Sequence, residues 1–282
     1  MERRNFMEML RARWAQGHFV CVGLDSEIEK LPDIAKKYEF DSVAQFNTHI
    51  VDATKNFVCA YKPNFAFYIC NGETGLISLK RTIAYIHEHA PLVPVILDAK
   101  VADIGNTNLG YAKMAFGYLK ADAITVHPYL GQEALKSFLD QPDKGIIVLC
   151  RTSNPGAGEF QDLMIDEEES QMKFYQTVAY RVANFWNQKN NCAVVAGATY
   201  PGELAEIRRI IGNMPILIPG IGAQGGDVEE TVKAGQDSHG QGMIINSSRG
   251  IIFASKGEDY AERAGEETVK LNNLINQFRT VS

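Results

Sequence analysis

Eight short apolar runs recur along the chain, and helical patterns fill the intervals between them. Each run is continuous rather than alternating and is rich in Val, Ile, Leu or Cys, which is typical of parallel strands covered on both faces. The runs span residues 19–24, 57–61, 93–97, 123–126, 145–150, 192–196, 215–219 and 243–246. Eight strand–helix alternations without a break in composition predict an α/β chain that folds as a single (β/α)8 TIM barrel over residues 1–282. A doubly wound open sheet is the alternative architecture.

Helices with one apolar face are predicted between these strands, at 42–54, 75–89, 171–187 and 227–234. The last of them begins with Asp227 as a candidate N-cap and Glu230 three residues further on, which is a capping-box arrangement.

Two other segments carry structural information. An amphipathic helix is expected near residues 2–15, with Phe6, Leu10 and Trp14 on one stripe, and should cover one end of the fold. The connection 151–171 after the fifth strand is longer than a barrel needs. Long loops inside compact domains are usually functional lids or disordered segments.

The composition argues against several classes of protein. The formal net charge is −6, so we expect no general affinity for nucleic acid or for an anionic membrane, and a phosphate site must be local. No apolar run approaches the length of a transmembrane helix. The five cysteines lack C-x-x-C or zinc spacing, and four of them lie within or next to apolar runs, which predicts buried thiols in a reducing, cytoplasmic setting and no metal site.

The most informative motif is a charged segment that follows the third apolar run. Asp98 and Lys100, two residues apart on a strand, project from the same face, and Asp103 follows where a loop enters a helix. Lys62 ends the second run and should lie beside them, because neighbouring strands are about 4.8 Å apart. Two lysines alone would repel by about 4 kcal/mol at contact distance near a protein surface. Interleaved carboxylates, including Asp25 after the first run, remove this cost and keep both lysines protonated.

A phosphate site is predicted after the seventh and eighth runs. The Gly-rich turn 220–226 leads into a helix, and glycine lets backbone N–H groups approach an oxyanion closely. Arg249 follows the eighth run, before a short helical segment near 250–255. Loops after strands seven and eight form the usual phosphate site of such barrels, so the turn and Arg249 together indicate phosphate binding.

The ordered motifs resemble those of a known family. The segment Asp98-x-Lys100-x-x-Asp103-Ile104-Gly105-Asn106-Thr107 resembles the signature of the orotidine 5′-phosphate decarboxylase family. The other matching motifs are Leu24-Asp25, Lys62-Pro63-Asn64, CRTSNPG at 150–156, PGIGAQGG at 219–226 and Ser248-Arg249-Gly250. The resemblance spans roughly residues 18–255 and is strongest to the subgroup with an extended strand-five loop. His127 departs from it, since a smaller polar residue is expected there.

This resemblance implies cofactor-independent decarboxylation of orotidine 5′-monophosphate to uridine 5′-monophosphate, the last step of UMP synthesis. It also implies a cytoplasmic homodimer with sites at the interface, so that Asp103 and Thr107 reach in from the other subunit. The implied site consists of a charged array of Lys62, Asp98, Lys100 and Asp103, ribose contacts from Asp25, Lys62 and Thr107, a pyrimidine contact from Ser153, and phosphate contacts from Gln224, Arg249 and the backbone near Ser248.

The expected mechanism is electrostatic. Loss of CO2 from C6 of orotate leaves an electron pair in the ring plane, which the π system cannot delocalise. A protonated Lys100 can stabilise this carbanion and then deliver the proton, while Asp98 holds the ammonium group. Phosphate binding far from C6 can supply energy to close the 151–171 lid.

Two other functions remain open. A metal-dependent decarboxylase or aldolase acting on a sugar phosphate shares the Asp-x-Lys-x-x-Asp pattern, but Lys62 stands where such enzymes typically place a glutamate for Mg²⁺. A nucleotide-binding protein without chemistry is the second alternative, although it need not keep two lysines that alternate with carboxylates.

Overall fold

The computed structural model describes residues 4–37, 41–167, 170–221 and 227–280. The strands in it are β1 Val20–Gly23, β2 Val58–Lys62, β3 Ile96–Val101, β4 Ala123–Val126, β5 Gly145–Arg151, β6 Met164–Glu167, β7 Ser170–Lys173, β8 Cys192–Ala196, β9 Ile216–Ile218 and β10 Met243–Ser247. Eight of them form one parallel sheet in the order β2-β1-β10-β9-β8-β5-β4-β3. The remaining two, β6 and β7, pair only with each other.

The large sheet closes on itself between its two outer strands. Parallel bridges join Tyr61 to Val95 and Asn64 to Asp98 across the β2–β3 seam. The N–H of Tyr61 donates to the carbonyl of Pro94 at 3.0 Å, which is part of this closure. The predicted (β/α)8 barrel is therefore confirmed, and the open doubly wound sheet is wrong.

Helices surround the barrel. They are α1 Phe6–Ala15, α2 Asp33–Lys36, α3 Ser42–Thr54, α4 Phe65–Ile69, α5 Gly72–His89, α6 Gly105–Ala112, α7 Gly131–Ala134, α8 Lys136–Leu139, α9 Gly158–Gln161, α10 Phe174–Arg181, α11 Pro201–Ile211, α12 Val228–Gly235, α13 Arg249–Ile252 and α14 Tyr260–Phe278. Turns of π-helix at Lys113–Tyr118 and Val182–Trp186 continue α6 and α10, and turns of 3-10 helix lie at Ile28–Lys30 and Pro155–Ala157. None of the helices that the structure describes is long and apolar enough to cross a membrane.

Local sequence signals account for several helix boundaries. The predicted helix 42–54 coincides with α3. The carboxylate of Asp227 accepts the N–H of Glu230 at 2.9 Å, so this cap starts α12 at the expected place. The N-terminal helix begins at Phe6 rather than near residue 2, and its Trp14 indole donates to the carbonyl of Met243 at 2.8 Å. This bond ties α1 to the N-terminal end of the barrel.

The long connection after β5 is not a plain loop. It contains the short helix α9 and the antiparallel hairpin of β6 and β7, in which Met164 faces Lys173. The helix predicted from residue 171 therefore begins only at Phe174. Strands of four residues are too short for their alternation to stand out beside a longer helical pattern, which explains the error.

The N-terminal end of the barrel is fastened by a buried carboxylate. Asp122 precedes β4 and is fully buried. It accepts two hydrogen bonds from the guanidinium of Arg4, at 2.9 and 2.7 Å, and one from the N–H of Val95 at 2.9 Å. Burial by itself would raise the pKa of Asp122, but the imidazole of His87, 3.6 Å away, and the guanidinium of Arg4 outweigh it and lower the pKa to about 2. This cluster serves stability, because it lies at the end opposite the active-site face.

Candidate active site

A cavity of about 390 Å³ opens at the C-terminal ends of the barrel strands. Seven of the ten predicted site residues line it, namely Asp25, Lys62, Asp98, Lys100, Ser153, Ser248 and Arg249. Gln224 lies outside the described residues. Asp103 and Thr107 are described but do not line this cavity within one chain. The strand ends thus bring most of the predicted set to one place, as a TIM barrel requires of its reaction site.

Asp98 is the centre of the charged array. Its Oδ2 accepts a hydrogen bond from the ammonium group of Lys62 at 3.0 Å, and its Oδ1 accepts one from the ammonium group of Lys100 at 2.6 Å. A third hydrogen bond comes from Oγ1 of Thr125, 2.8 Å from Oδ1. The side chains of Lys62 and Asp98 are nine-tenths or more buried, whereas that of Lys100 is 47% exposed toward the cavity mouth. The two lysines and the carboxylate therefore interleave as predicted.

The contacts within the array favour the ionised forms of Lys62 and Asp98. Burial alone would lower the pKa of Lys62, but the carboxylates of Asp98 and Asp25 outweigh it and hold the pKa above its ordinary value. Burial alone would raise the pKa of Asp98, yet Lys62 and Lys100 hold it well below its usual range. Charges of opposite sign at these distances favour the charged forms of both partners. A carboxylate and an ammonium group thus persist together in a largely desolvated site.

The backbone at Lys100 departs from a regular strand. Its φ angle is +49°, in the left-handed region that side chains other than glycine rarely adopt. Such a conformation costs on the order of 1–3 kcal/mol and persists only where surrounding contacts hold it. The N–H of Lys100 donates to Oγ1 of Thr125 at 2.9 Å. Regular alternation alone, the basis of the prediction, therefore does not describe how Lys100 reaches Asp98.

Two buried acceptors face the cavity without a donor. Oδ1 of Asp25 and Oδ1 of Asn246 are both buried and find no hydrogen-bond partner among the residues that the structure describes. Both side chains line the cavity, so a ligand with hydroxyl donors can satisfy them. Asn246 was missed by sequence reasoning, although a lone polar residue at the end of the apolar run 243–246 is a readable signal.

Close backbone approach shapes two parts of the cavity wall. A Cβ atom at Gly23 would lie 1.8 Å from Oγ of Ser248, so only glycine at the end of β1 admits the loop after β10. A Cβ atom at Gly197 would lie 2.9 Å from Cβ of Ser153. Glycine after β8 therefore lets Ser153 sit against the barrel rim, where the pyrimidine contact was predicted.

The candidate phosphate end is formed by the start of α13. Arg249 is the first residue of this helix and is exposed, and its side chain lines the cavity. The carbonyl of Ser248 accepts the N–H groups of Ile251 and Ile252 at 2.9 and 3.0 Å. The predicted short helix near 250–255 is thus shorter and begins at Arg249. The Gly-rich residues 222–226 lie outside the described part of the chain.

Arg151 anchors the long connection after β5, residues 151–171, which we call the insertion. Sequence reasoning missed this role. Its guanidinium donates to both oxygens of Glu203, at 2.5 and 3.0 Å, and lies 3.4 Å from Oδ2 of Asp162. It also lies over the rings of Tyr175 and Tyr200, at 5.4 and 5.5 Å from their centroids. These contacts hold the base of the insertion next to Ser153 because they join α9, α10 and α11.

Asp103 and Thr107 stand apart from the array in a single chain. Oδ1 of Asp103 accepts the N–H of its neighbour Ile104 at 2.7 Å, and Thr107 is exposed on α6. The side chains of Ile104 and Leu109 beside them are 63% and 50% exposed. His127 does not line the cavity, and its N–H donates to the carbonyl of Val101 at 3.2 Å.

The fold and the site together define a TIM-barrel enzyme with a lysine–aspartate array in the cavity at the C-terminal ends of its strands. Residues 18–264 match the family model described as the orotidine 5′-phosphate decarboxylase / HUMPS family, and the chain belongs to this family.

Relatives agree over nearly the whole length. The orotidine 5′-phosphate decarboxylase of Cellvibrio japonicus is 46% identical over 277 residues, covering 98% of this chain and 99% of the relative. That of Azoarcus sp. is 47% identical over 276 residues, covering 98% of this chain and 100% of the relative. Among solved structures, OMP decarboxylase from Leishmania donovani superposes with a TM-score of 0.82 at 33% identity, covering 96% of this chain and 99% of that one. UMP synthase from the same organism gives 0.86 at 35% identity, covering 98% of this chain and 56% of that one.

Proposed function

We propose that this chain decarboxylates orotidine 5′-monophosphate to uridine 5′-monophosphate, the last step of UMP synthesis, without a cofactor. Membership of the family supports the reaction. The single observation that carries the assignment is the carboxylate of Asp98, which bonds the ammonium groups of Lys62 and Lys100 at 3.0 and 2.6 Å beside an open cavity. A protonated amine at this position suits a reaction in which negative charge develops on the substrate.

In the proposed mechanism the ammonium of Lys100 faces C6 of the orotate ring. As the bond from C6 to the carboxylate breaks, its electron pair stays on C6 and CO2 leaves. The ammonium group stabilises this pair and then transfers a proton to C6, which yields the uracil ring and leaves Lys100 as a neutral amine. Asp98 holds the ammonium of Lys100 in place beforehand through a charge-assisted hydrogen bond of 2.6 Å.

The rest of the site is assigned to binding. Asp25 and Lys62 hold the ribose hydroxyls, a role supported by the buried acceptor of Asp25 that has no donor among the described residues. Ser153 contacts the pyrimidine. Arg249 binds the phosphate, together with Gln224 and backbone N–H groups near Ser248. Binding energy from the phosphate, far from C6, can close the insertion over the ring and support the transition state.

We place the enzyme in the cytoplasm as a homodimer that shares its active sites. Asp103 and Thr107 belong to the family motif but lie outside the cavity of their own chain, beside the exposed Ile104 and Leu109. Apolar side chains exposed next to functional residues are typical of an interface. Across a two-fold axis, Asp103 and Thr107 would complete the array and the ribose site of the other protomer.

The relatives described above carry the decarboxylase name, so neither alternative function gains support from them. Within the described ranges, no group of three or more His, Cys, Asp and Glu side chains is arranged to hold a metal ion.

Loss of the orotate absorbance on mixing the protein with orotidine 5′-monophosphate tests the proposed reaction directly. We expect turnover, and we expect it to survive exhaustive treatment with EDTA. Turnover that EDTA abolishes and Mg²⁺ restores would favour the metal-dependent alternative. Tight binding of uridine 5′-monophosphate without any turnover would favour the non-catalytic one.

Complementation tests the shared site. If each site combines Lys100 of one protomer with Asp103 of the other, two inactive variants, Lys100→Ala and Asp103→Ala, recombine into heterodimers with one complete site. With random exchange of subunits, about a quarter of the wild-type activity is expected. The matched control is a mixture of Lys100→Ala with Asp98→Asn, whose lesions lie in the same half of the site and should not complement. If the mixture of Lys100→Ala with Asp103→Ala is as inactive as this control, the active sites are not shared between protomers.

A further inference from the structure

Thr125 contacts both Asp98 and Lys100, the two residues that β3 contributes to the charged array. It lies in β4 and is 1% exposed. Its Oγ1 accepts the N–H of Lys100 at 2.9 Å and donates to Oδ1 of Asp98 at 2.8 Å. Because a hydroxyl has a single proton to donate, and the carboxylate can only accept, these two bonds fix the direction of the hydroxyl.

The strand pairing shows why this hydroxyl matters. Leu97 pairs with Ile124 and Val101 pairs with Val126, so three residues of β3 lie opposite Thr125 alone. Such a bulge removes backbone partners and re-aims side chains. In this bulge Lys100 has its φ angle of +49°, and its N–H bonds to the Thr125 side chain instead of a β4 carbonyl.

We infer that Thr125 is a positioning residue for the decarboxylation, holding the bulge so that Asp98 and Lys100 face each other and the reacting carbon. This inference rests on the proposed function. Thr125 does not line the cavity, so it acts through Asp98 and Lys100 and not by contact with substrate. Its loss should therefore lower kcat while leaving KM nearly unchanged, since the ribose and phosphate contacts remain.

Three variants separate positioning from packing. Thr125→Val keeps the shape and removes the hydroxyl, and we expect kcat to fall by about 10- to 100-fold with KM changed by less than about threefold. Thr125→Ser keeps the hydroxyl and should retain kcat within about threefold of wild type. The matched control is Thr177→Val in α10, where Oγ1 is buried without a partner among the described residues, and neither constant should change.

The inference is overturned if Thr125→Val keeps wild-type kcat, or if Thr125→Val and Thr125→Ser lose activity equally. Should Thr125→Val fail to fold, Thr125→Ala replaces it in the comparison with Thr125→Ser, since these two differ only by the hydroxyl. Wild-type turnover in the same assay reports separately on the proposed function. Crystal structures of wild type and variant give a readout independent of turnover: we expect Lys100 to leave the left-handed region in Thr125→Val, and an unchanged φ would count against the inference.

Discussion

The ammonium of Lys62 and the carboxylate of Asp98 form a buried ion pair across the seam where the barrel closes. Their Nζ and Oδ2 atoms are 3.0 Å apart, and the side chains are 5% and 9% exposed. The strands that carry them, β2 and β3, occupy opposite ends of the sheet order and meet through isolated bridges. One ion pair therefore belongs both to the proposed reaction centre and to the closure of the fold.

Replacing Lys62 by Met should destabilise the protein. The variant leaves Asp98 buried with Lys100 as its remaining cationic partner, and we expect the free energy of unfolding to fall by about 2–3 kcal/mol, as measured in urea. The control is Lys233→Met on α12, where both side chains of the pair with Glu229 are exposed, so that solvent screens the pair and its loss should change the free energy of unfolding little. Equal losses in the two variants would show that the seam does not depend on Lys62.

Lys100→Ala should abolish turnover while leaving the protein folded. The variant loses both the electrostatic stabilisation and the proton donor, so we expect kcat to fall by about 10⁴-fold or more. The decrease in orotate absorbance with time measures this kcat. Lys120→Ala is the matched control, because Lys120 also has a positive φ angle, +62°, and is exposed before β4. Near-normal turnover in Lys100→Ala, with circular dichroism and gel filtration unchanged, would refute the assignment.

Arg249→Ala should lower kcat/KM only for a substrate that carries the phosphate. A charge-assisted hydrogen bond of about 1.5–3 kcal/mol predicts a loss of kcat/KM toward orotidine 5′-monophosphate by about 10- to 100-fold. Toward orotidine, which lacks the phosphate, wild type and variant should be equally slow. The control, Arg263→Ala on α14, removes an exposed guanidinium that pairs with Asp259 and Glu266. An unchanged kcat/KM for Arg249→Ala would remove this residue from the phosphate site.

Stability in acid should depend on Asp122. Its pKa in the folded protein, about 2, is below the ordinary value of 3.8, so its contribution is complete above about pH 4 and is lost as the pH falls toward 2. Between these limits, the free energy of unfolding of wild type should drop by about 2 kcal/mol more than that of Asp122→Asn. Asp33→Asn, which alters an exposed carboxylate, should keep the wild-type pH dependence. Parallel curves for wild type and Asp122→Asn would contradict the assigned role.

The catalytic properties of Asp122→Asn provide an internal check on this prediction. Asp122 lies before β4, at the end of the barrel opposite the cavity. At neutral pH and below the unfolding temperature, the kcat of this variant should therefore match that of wild type. A selective loss of kcat would mean that the two ends of the barrel are coupled.

Much of the site was predictable because its signals are local in the chain. Asp98 and Lys100 are two residues apart, and Lys62 ends a recognisable apolar run, so strand adjacency alone predicts their contact. Asp227 as a helix cap was predictable for the same reason, since its partner Glu230 is three residues away. The role of Arg151 could not be predicted, because its partner Glu203 is 52 residues distant and no periodic pattern links the two.

The sequence by itself determined the alternation of strands and helices and the identity of the charged residues, since both are written in short-range periodicity and in residue type. Tertiary structure alone decided which strands close the seam, that the left-handed backbone at Lys100 is hydrogen-bonded to Thr125, and that Asp103 does not line the cavity of its own chain. The physical reason is that these features depend on hydrogen bonds and packing between residues far apart in the chain. Local propensity constrains such contacts only weakly.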